Sequence, residues 1–231
     1  MKKYLEIFKR CPLFSGIDEA DLETMLTCLG AKVAVFDKRY TILPEGSPGK
    51  YVGIVLSGSV CIEQLDIYGN RSILSMVMPS QIFAEAFACA GVASIPVSVV
   101  ANEESEIMFI NIERILNTCS NNCPFHNALI RNLMHDLAEK TLMFHRKIDI
   151  ISKRTTREKL LTYLNYESKS QGRMSFDIPF DRQGLADYLE VDRSGLSLEI
   201  SKLRKEGILE SRKNHFTLLQ STTTSSTGGL K

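Results

Sequence analysis

From residue 124 to residue 151 the chain holds no internal glycine or proline, and Ile130, Met134, Leu137, Thr141, Phe144, Ile148 and Ile151 recur there at alternating spacings of four and three. Three heptads of that spacing draw a narrow apolar seam, about 20 residues long, down one side of a helix. Such a seam must be covered, either by the rest of its own domain or by a second helix. Leu129, Leu133, Leu142 and Met143 add a neighbouring apolar stripe. The two together predict that one face lies on the chain's own domain and the other on a second copy.

Ahead of the helix the texture is different. Residues 1 to 30 read as short helices, with Asp18 as the cap of a run in which Leu22, Met25, Leu26 and Leu29 share a face. From residue 31 to about 110 the runs VAVF, YTIL, YVGIVLSGSVCIEQL, SILSMVM, PVSVVAN and EIMFI are separated by the turn-rich PEGSPG, DIYGN and MPS. Short strands punctuated in this way predict an antiparallel sandwich or roll. Gly46, Gly58 and Gly69 fit its tight turns and need no ligand to explain them.

Behind the helix, residues 179 to 212 contain two short helical patterns separated by a few residues. Asp181 is placed to cap the first, whose apolar residues are Leu185, Ala186, Tyr188 and Leu189. Asp192 is placed to cap the second, where Leu196, Ile200 and Leu203 recur and Gly207 ends the run. Arg193, Ser194, Ser197, Lys202, Arg204 and Lys205 occupy its other sides. Two helices so joined, with a polar and basic outer face, form a helix-turn-helix whose second helix reads the DNA major groove. An amphipathic helical hairpin without DNA is the competing reading. The following ILESRKNHFTLL, two apolar runs about a turn at Arg212, Lys213 and Asn214, supplies a basic hairpin of the kind that meets phosphates.

Charge agrees with this placement. Residues 152 to 231 carry 14 Lys and Arg against 10 Asp and Glu, net +4, whereas residues 1 to 151 carry 14 against 17, net −3. The polyanion partner therefore belongs to the C-terminal part. No apolar run approaches the roughly 18 residues of a membrane span, and MKKYLEIFKR has no signal-peptide core, which predicts a cytoplasmic protein with no membrane partner. The six cysteines are too scattered for a secreted disulfide framework and read as small buried hydrophobes. STTTSSTGGLK at the end reads as a disordered tail. An HExxH, a P-loop, a GxSxG and a His–Asp–Ser grouping placed on fitting elements are all missing, which argues against an enzyme.

The order of these parts, with LSGSVCIEQLDIYGN, MPSQIFAEAFACAG, PVSVVA, the long helix and GLADYLEVDRSGLSLEISKLRKEGILE, resembles the Crp/Fnr family of bacterial transcription regulators over about residues 4 to 220. The resemblance implies an α+β chain with an N-terminal cyclic-nucleotide-binding-like β roll (a jelly roll), a long dimerisation helix and a C-terminal winged helix-turn-helix. On that plan residues 1–120 form the sensing domain, 121–152 the dimerisation helix, 153–220 the DNA-binding domain and 221–231 the tail. It further implies a homodimer, an operator in double-stranded DNA, RNA polymerase as a partner, and a small-molecule effector that re-orients the DNA-binding heads through the long helix. No resident cofactor is expected beyond that unidentified effector.

Family members that bind cyclic AMP pair a Glu with an Arg about ten residues later. Here Glu85 is present, but residues 86 to 101 contain no Arg or Lys. A buried phosphate without a cation costs several kcal/mol, roughly, in desolvation, so the expected effector is not cyclic AMP. Its pocket is expected around Phe83, Glu85, Ser94, Pro96, Val97, Ser98, Thr141, Leu142 and Met143, with Glu85 either accepting hydrogen bonds from the ligand or capping a local turn. Cys119 and Cys123 are weak candidates for a metal or redox role against a structural one. His126, His135 and His145 read as exposed helix residues. By the same resemblance the base-reading positions are Arg193, Ser194, Ser197 and Leu198, with Leu198 directed either at a thymine methyl or at the domain interior. Arg182, Ser201, Lys202, Arg212 and Lys213 are the phosphate candidates. Glu190 occupies the turn between the two helices, where a left-handed conformation favours Gly or Asn.

Overall fold

The computed structural model describes residues 2–117 and 125–219. They fall into two compact units divided between Met143 and Phe144. In chain order the elements are α1 (Leu5–Arg10), α2 (Glu19–Cys28), β1 (Lys32–Phe36), β2 (Thr41–Leu43), β3 (Tyr51–Ser57), β4 (Val60–Leu65), β5 (Arg71–Val77), β6 (Ile82–Phe83), α3 (Glu85–Cys89), β7 (Ser98–Ala101), β8 (Ser105–Asn111), α4 (Ile112–Leu116), α5 (His126–Ile151), α6 (Thr156–Gln171), β9 (Ser175–Asp177), α7 (Arg182–Leu189), α8 (Arg193–Lys205), β10 (Leu209–Arg212) and β11 (His215–Leu218). Short 3-10 turns precede α1 and α2.

The first unit is built on two four-stranded antiparallel sheets, ordered β1-β8-β3-β6 and β2-β7-β4-β5. Strand β3 is apolar almost without interruption because both of its faces are covered. Val55, with Phe83 and Ile107, packs inward with Val60, Val77, Val99 and Ala101 of the second sheet. Val52, Ile54 and Leu56, with Met108 and Ile110 of β8, pack outward under Phe8, Leu13, Met25, Leu26 and Leu29 of the N-terminal segment and under Leu129 and Leu133 of α5. The expected strands are present, and Gly46, Gly58 and Gly69 all have positive φ. At Gly58 a Cβ would lie 2.3 Å from the Glu104 carbonyl oxygen, so close approach as well as backbone conformation excludes a side chain there. Asp66 organises the β4–β5 turn by accepting the N–H groups of Tyr68 and Asn70.

Two expectations for this unit are corrected. Asp18 stands at the N-terminus of α2 in extended backbone, but its carboxylate makes no capping bond. Its backbone carbonyl accepts from Asp21 and Leu22 instead. His126 is buried at the start of α5, where its Nε2 lies 3.2 Å from the Arg114 carbonyl and its ring stacks on Phe125; His135 and His145 are exposed as expected.

In the second unit α6, α7 and α8 and the antiparallel sheet β10-β11-β9 enclose Leu160, Leu164, Leu185, Leu189, Leu196, Ile200, Leu203 and Phe216. Helix α6 opens on a reciprocal capping box between Thr155 and Glu158. Asp181 and Asp192 cap α7 and α8 by accepting the N–H groups of Gly184 and Gly195, at 2.7 and 2.8 Å. Gly207, with positive φ, ends the last helix. Tail residues 221–231 and both Cys119 and Cys123 lie outside the described residues.

Candidate DNA interface and sensing site

Helix α8 buries Leu196, Ile200 and Leu203 and turns the rest of its surface outward. Arg193 and Ser194 are exposed in its first turn, Ser197 is partly exposed one turn on, and Leu198 is 59% exposed. The inward alternative for Leu198 is thereby excluded: it points away from the domain interior. The serine hydroxyls are held by local bonds, Ser197 to the Arg193 carbonyl at 2.9 Å and Ser201 to the Ser197 carbonyl at 3.0 Å, while Ser194 donates to Asp192. Each hydroxyl oxygen keeps acceptor capacity toward a DNA base or phosphate. Arg182, at the start of α7, lies over the Phe216 ring, and burial together with the neighbouring Arg193 pushes its guanidinium below the usual range. Lys202 is exposed, with Glu199 at 3.8 Å.

Arg212 and Lys213 stand at the tip of the β10–β11 hairpin, the expected wing. Between the C-terminal half of α8 and this hairpin runs an open cleft of about 860 Å³, lined by Arg204, Lys205, Arg212, His215 and Ser201 with one carboxylate, Glu210, among others. Its cations and hydroxyls suit a phosphate backbone.

The absence of a His–Asp–Ser grouping, expected from the sequence, is corrected on the same sheet. His215 Nδ1 lies 2.9 Å from Asp177 Oδ1, and its Nε2 lies 2.9 Å from Ser175 Oγ. The three residues are brought together by strand register, because His215 is paired directly with Asp177, and Thr217 with Ser175. They sit on the exposed face of the sheet, and Ser175 also bonds Thr217. In that setting the row braces β9 against the wing.

In the first unit Glu85 opens α3 but neither caps it nor stands free. Lys140 of α5 reaches it, with Nζ 2.8 Å from Glu85 Oε1 and 3.1 Å from Asp136 Oδ2, and donates to the Ile82 carbonyl at 2.6 Å. Both Glu85 and Asp136 are buried. A cation therefore stands beside Glu85, 55 residues beyond it in sequence, and serves that carboxylate. Its signal was the spacing of Leu129, Leu133, Asp136 and Lys140, all on the α5 face that meets the roll. Leu142 and Met143 do not share that face: Leu142 is nine residues from Leu133, half a rotation round the helix at roughly 100° per residue, and both side chains are exposed.

The remaining sequence-predicted pocket residues differ in exposure. Phe83 and Val97 are buried core, Ser94 and Pro96 are exposed, and Ser98 is half-buried with its hydroxyl accepting the Glu45 N–H. Thr141 is exposed and donates to the Leu137 carbonyl. Among the cysteines, Cys11 and Cys61 are buried, and burial pushes both thiols up to about 12, so they are inert as nucleophiles near neutrality.

A roll of this type joined to a winged helix-turn-helix defines a DNA-binding regulator with a sensing domain. The cyclic nucleotide-binding domain family matches residues 33–122, and the Crp-like helix-turn-helix domain family matches residues 158–222. The chain belongs to the Crp/Fnr family of transcriptional regulators. It is 23% identical to the transcriptional activator protein FnrL of Cereibacter sphaeroides over 73% of this chain and 68% of that protein. The fold is similar to FixK2 from Bradyrhizobium japonicum, with TM-score 0.66 and 20% identity over 82% of this chain and 93% of the other. It is also similar to the c-di-GMP responsive global regulator CLP of Xanthomonas campestris, with TM-score 0.71 and 19% identity over 88% and 100%.

Replacing Lys140 with Met strands two buried carboxylates and should destabilise the first unit by about 3–5 kcal/mol, read as a lowered urea midpoint. The combined Glu85→Gln, Lys140→Met variant should recover part of that loss. Equal midpoints for Lys140→Met and the wild type would show that the ion pair is energetically silent.

Proposed function

We propose that this Crp/Fnr regulator acts as a homodimer that reads an operator through α8 and is controlled by a small molecule other than cyclic AMP. The observation that carries the DNA reading is the outward row Arg193, Ser194, Ser197 and Leu198, flanked by the basic cleft and wing. Arg193 donates to guanine O6 and N7, and Leu198 meets a thymine methyl. Arg182, Ser201, Lys202, Arg212 and Lys213 hold phosphates. The action is non-catalytic and cytoplasmic, with RNA polymerase as the downstream partner.

What supports the dimer is the seam on α5. Met134 is 66% exposed, Phe144 48% and Ile148 58%, alongside exposed Thr141 and half-buried Ile130, Leu137 and Ile151. A second copy of the helix covers that stripe, and the resulting two-fold axis presents two α8 helices to half-sites about 34 Å apart. What supports the effector reading is Lys140. Its ammonium already pairs with the Glu85 and Asp136 carboxylates and donates to the Ile82 carbonyl, so its charge is taken up within the domain and is not free for a cyclic phosphate.

With duplexes selected from genomic fragments by the protein itself, binding should exceed that to random DNA and fall steeply with salt. Arg193→Ala should lose about 1–3 kcal/mol of discrimination at one base position while random-DNA affinity changes little. Uniform weak binding by the wild type would overturn the regulator reading. Met134→Asp should shift the sedimenting species from dimer to monomer; a monomeric wild type at micromolar concentration would sink the seam assignment. Cyclic AMP in large excess should leave the melting temperature unchanged, and a rise of several degrees, corresponding to roughly 1 kcal/mol or more of linkage, would show that the nucleotide binds.

A further inference from the structure

Two lysines converge on the bend between α7 and α8, and neither belongs to the DNA-facing set. Lys147 lies in the last two turns of α5, within the same unit as the bend, and is only 6% exposed. Its Nζ donates to the Tyr188 carbonyl and lies 3.7 Å from the centre of the Tyr188 ring. Lys159 of α6 donates to the carbonyls of Leu189 and Glu190, at 3.2 and 3.3 Å. Three successive carbonyls at the C-terminal end of α7 thus meet ammonium groups, at the end of the helix where the macrodipole is negative and the carbonyls lack intrahelical donors.

The bend is unusual at that very place. Glu190 adopts φ 54, the left-handed region that disfavours a side chain. Tyr188 is also held by stacking on Phe180, with ring centroids 4.7 Å apart, and by Tyr163 at 5.3 Å. Only Val191 and Asp192 separate Glu190 from Arg193. A change in the bend is therefore passed directly to the first turn of the recognition helix.

We propose that Lys147 is a positioning residue for operator recognition: its ammonium holds the α7–α8 bend against the end of α5 and so sets the pose of Arg193. This rests on α8 being the reading helix. Lys159 from α6, Glu190 in the bend and the Tyr188 phenol of α7 act on or touch Lys147, and Glu167 and Tyr163 of α6 act in turn on Tyr188, whose phenol burial pushes up to about 12 and keeps neutral near physiological pH. Burial lowers Lys147 itself from 10.5 to about 8; Lys159 adds to the lowering and Glu190 opposes it.

The depressed value gives the test its sign. Between pH 8 and 10.5 the unfolded chain holds a proton on Lys147 that the folded chain has released, so this group adds stability as pH rises. Loss of operator affinity in that range without loss of melting temperature is therefore a signature of positioning, which a merely structural lysine would not give. From pH 7 to 9 the wild type should lose about tenfold in affinity for its selected duplex relative to random DNA. Lys147→Arg should stay tight and flat over the range, and Lys147→Met should be weak and flat, at unchanged far-ultraviolet dichroism. If Lys147→Arg follows the same pH profile as the wild type, or if Lys147→Met binds as tightly as the wild type at pH 7, the proposal is wrong while the regulator reading stands. If Lys147→Met fails to fold, the comparison of wild type with Lys147→Arg still decides. A wild type without operator preference at any pH would instead remove the regulator reading on which the proposal rests.

Discussion

Strands β3 and β8 are apolar on both faces, and no two-layer sandwich can keep such strands dry. The second sheet covers one side; the other needs helices. Those helices come from two distant parts of the first unit, the N-terminal segment and the first half of α5. Covering the sheet therefore fixes the rotation of α5 about its own axis. Once Leu129 and Leu133 face the roll, Asp136 and Lys140 must follow on the same side, and Met134 must face away. One burial requirement thus sets both the Lys140–Glu85 ion pair and the outward turn of Met134.

The same helix carries two inward-turned lysines one heptad apart, Lys140 half-buried and Lys147 buried. Lys140 meets carboxylates, whereas Lys147 meets a carbonyl and an aromatic face. The difference matters for what each can do. An ion pair in low dielectric is strongly coupled to its partners, and removing one side leaves an unpaired charge. An ammonium over a carbonyl and a ring makes a charge-assisted hydrogen bond and a cation–π contact, and both weaken when it discharges. Lys140 is suited to holding α5 on the roll, and Lys147 to a contact whose strength varies.

How much of this was readable depended on the range of the interaction. The caps at Asp181 and Asp192, the stop at Gly207 and the glycine turns are local, and each was visible in a few residues. The seam and the outward row of α8 follow from helical periodicity, which also carried Leu198 to the surface. Pairings that join distant residues were not visible. Lys140 finds Glu85 because tertiary packing lays α5 beside α3, and Ser175, His215 and Asp177 meet through the register of β9 with β11. Helix α6 was not foreseen, although Thr155 and Glu158 carry its capping box in plain view. The expected cap by Asp18 failed because backbone position alone does not orient the carboxylate.

Glu190 shows how a departure seen in sequence acquires its explanation. A left-handed residue with a side chain carries roughly 1–2 kcal/mol of strain, which Gly would remove. Gly, however, would also remove the carboxylate whose field helps keep Lys147 charged while Lys159 and burial work against it. The strained glutamate and the two lysines therefore act as one unit. Relieving the strain alone weakens the cation that holds the bend, whereas removing a lysine alone leaves the strained turn without the contacts that over-determine it. The cost of the conformation and the charges around it make sense only together, at the point where the chain turns into its reading helix.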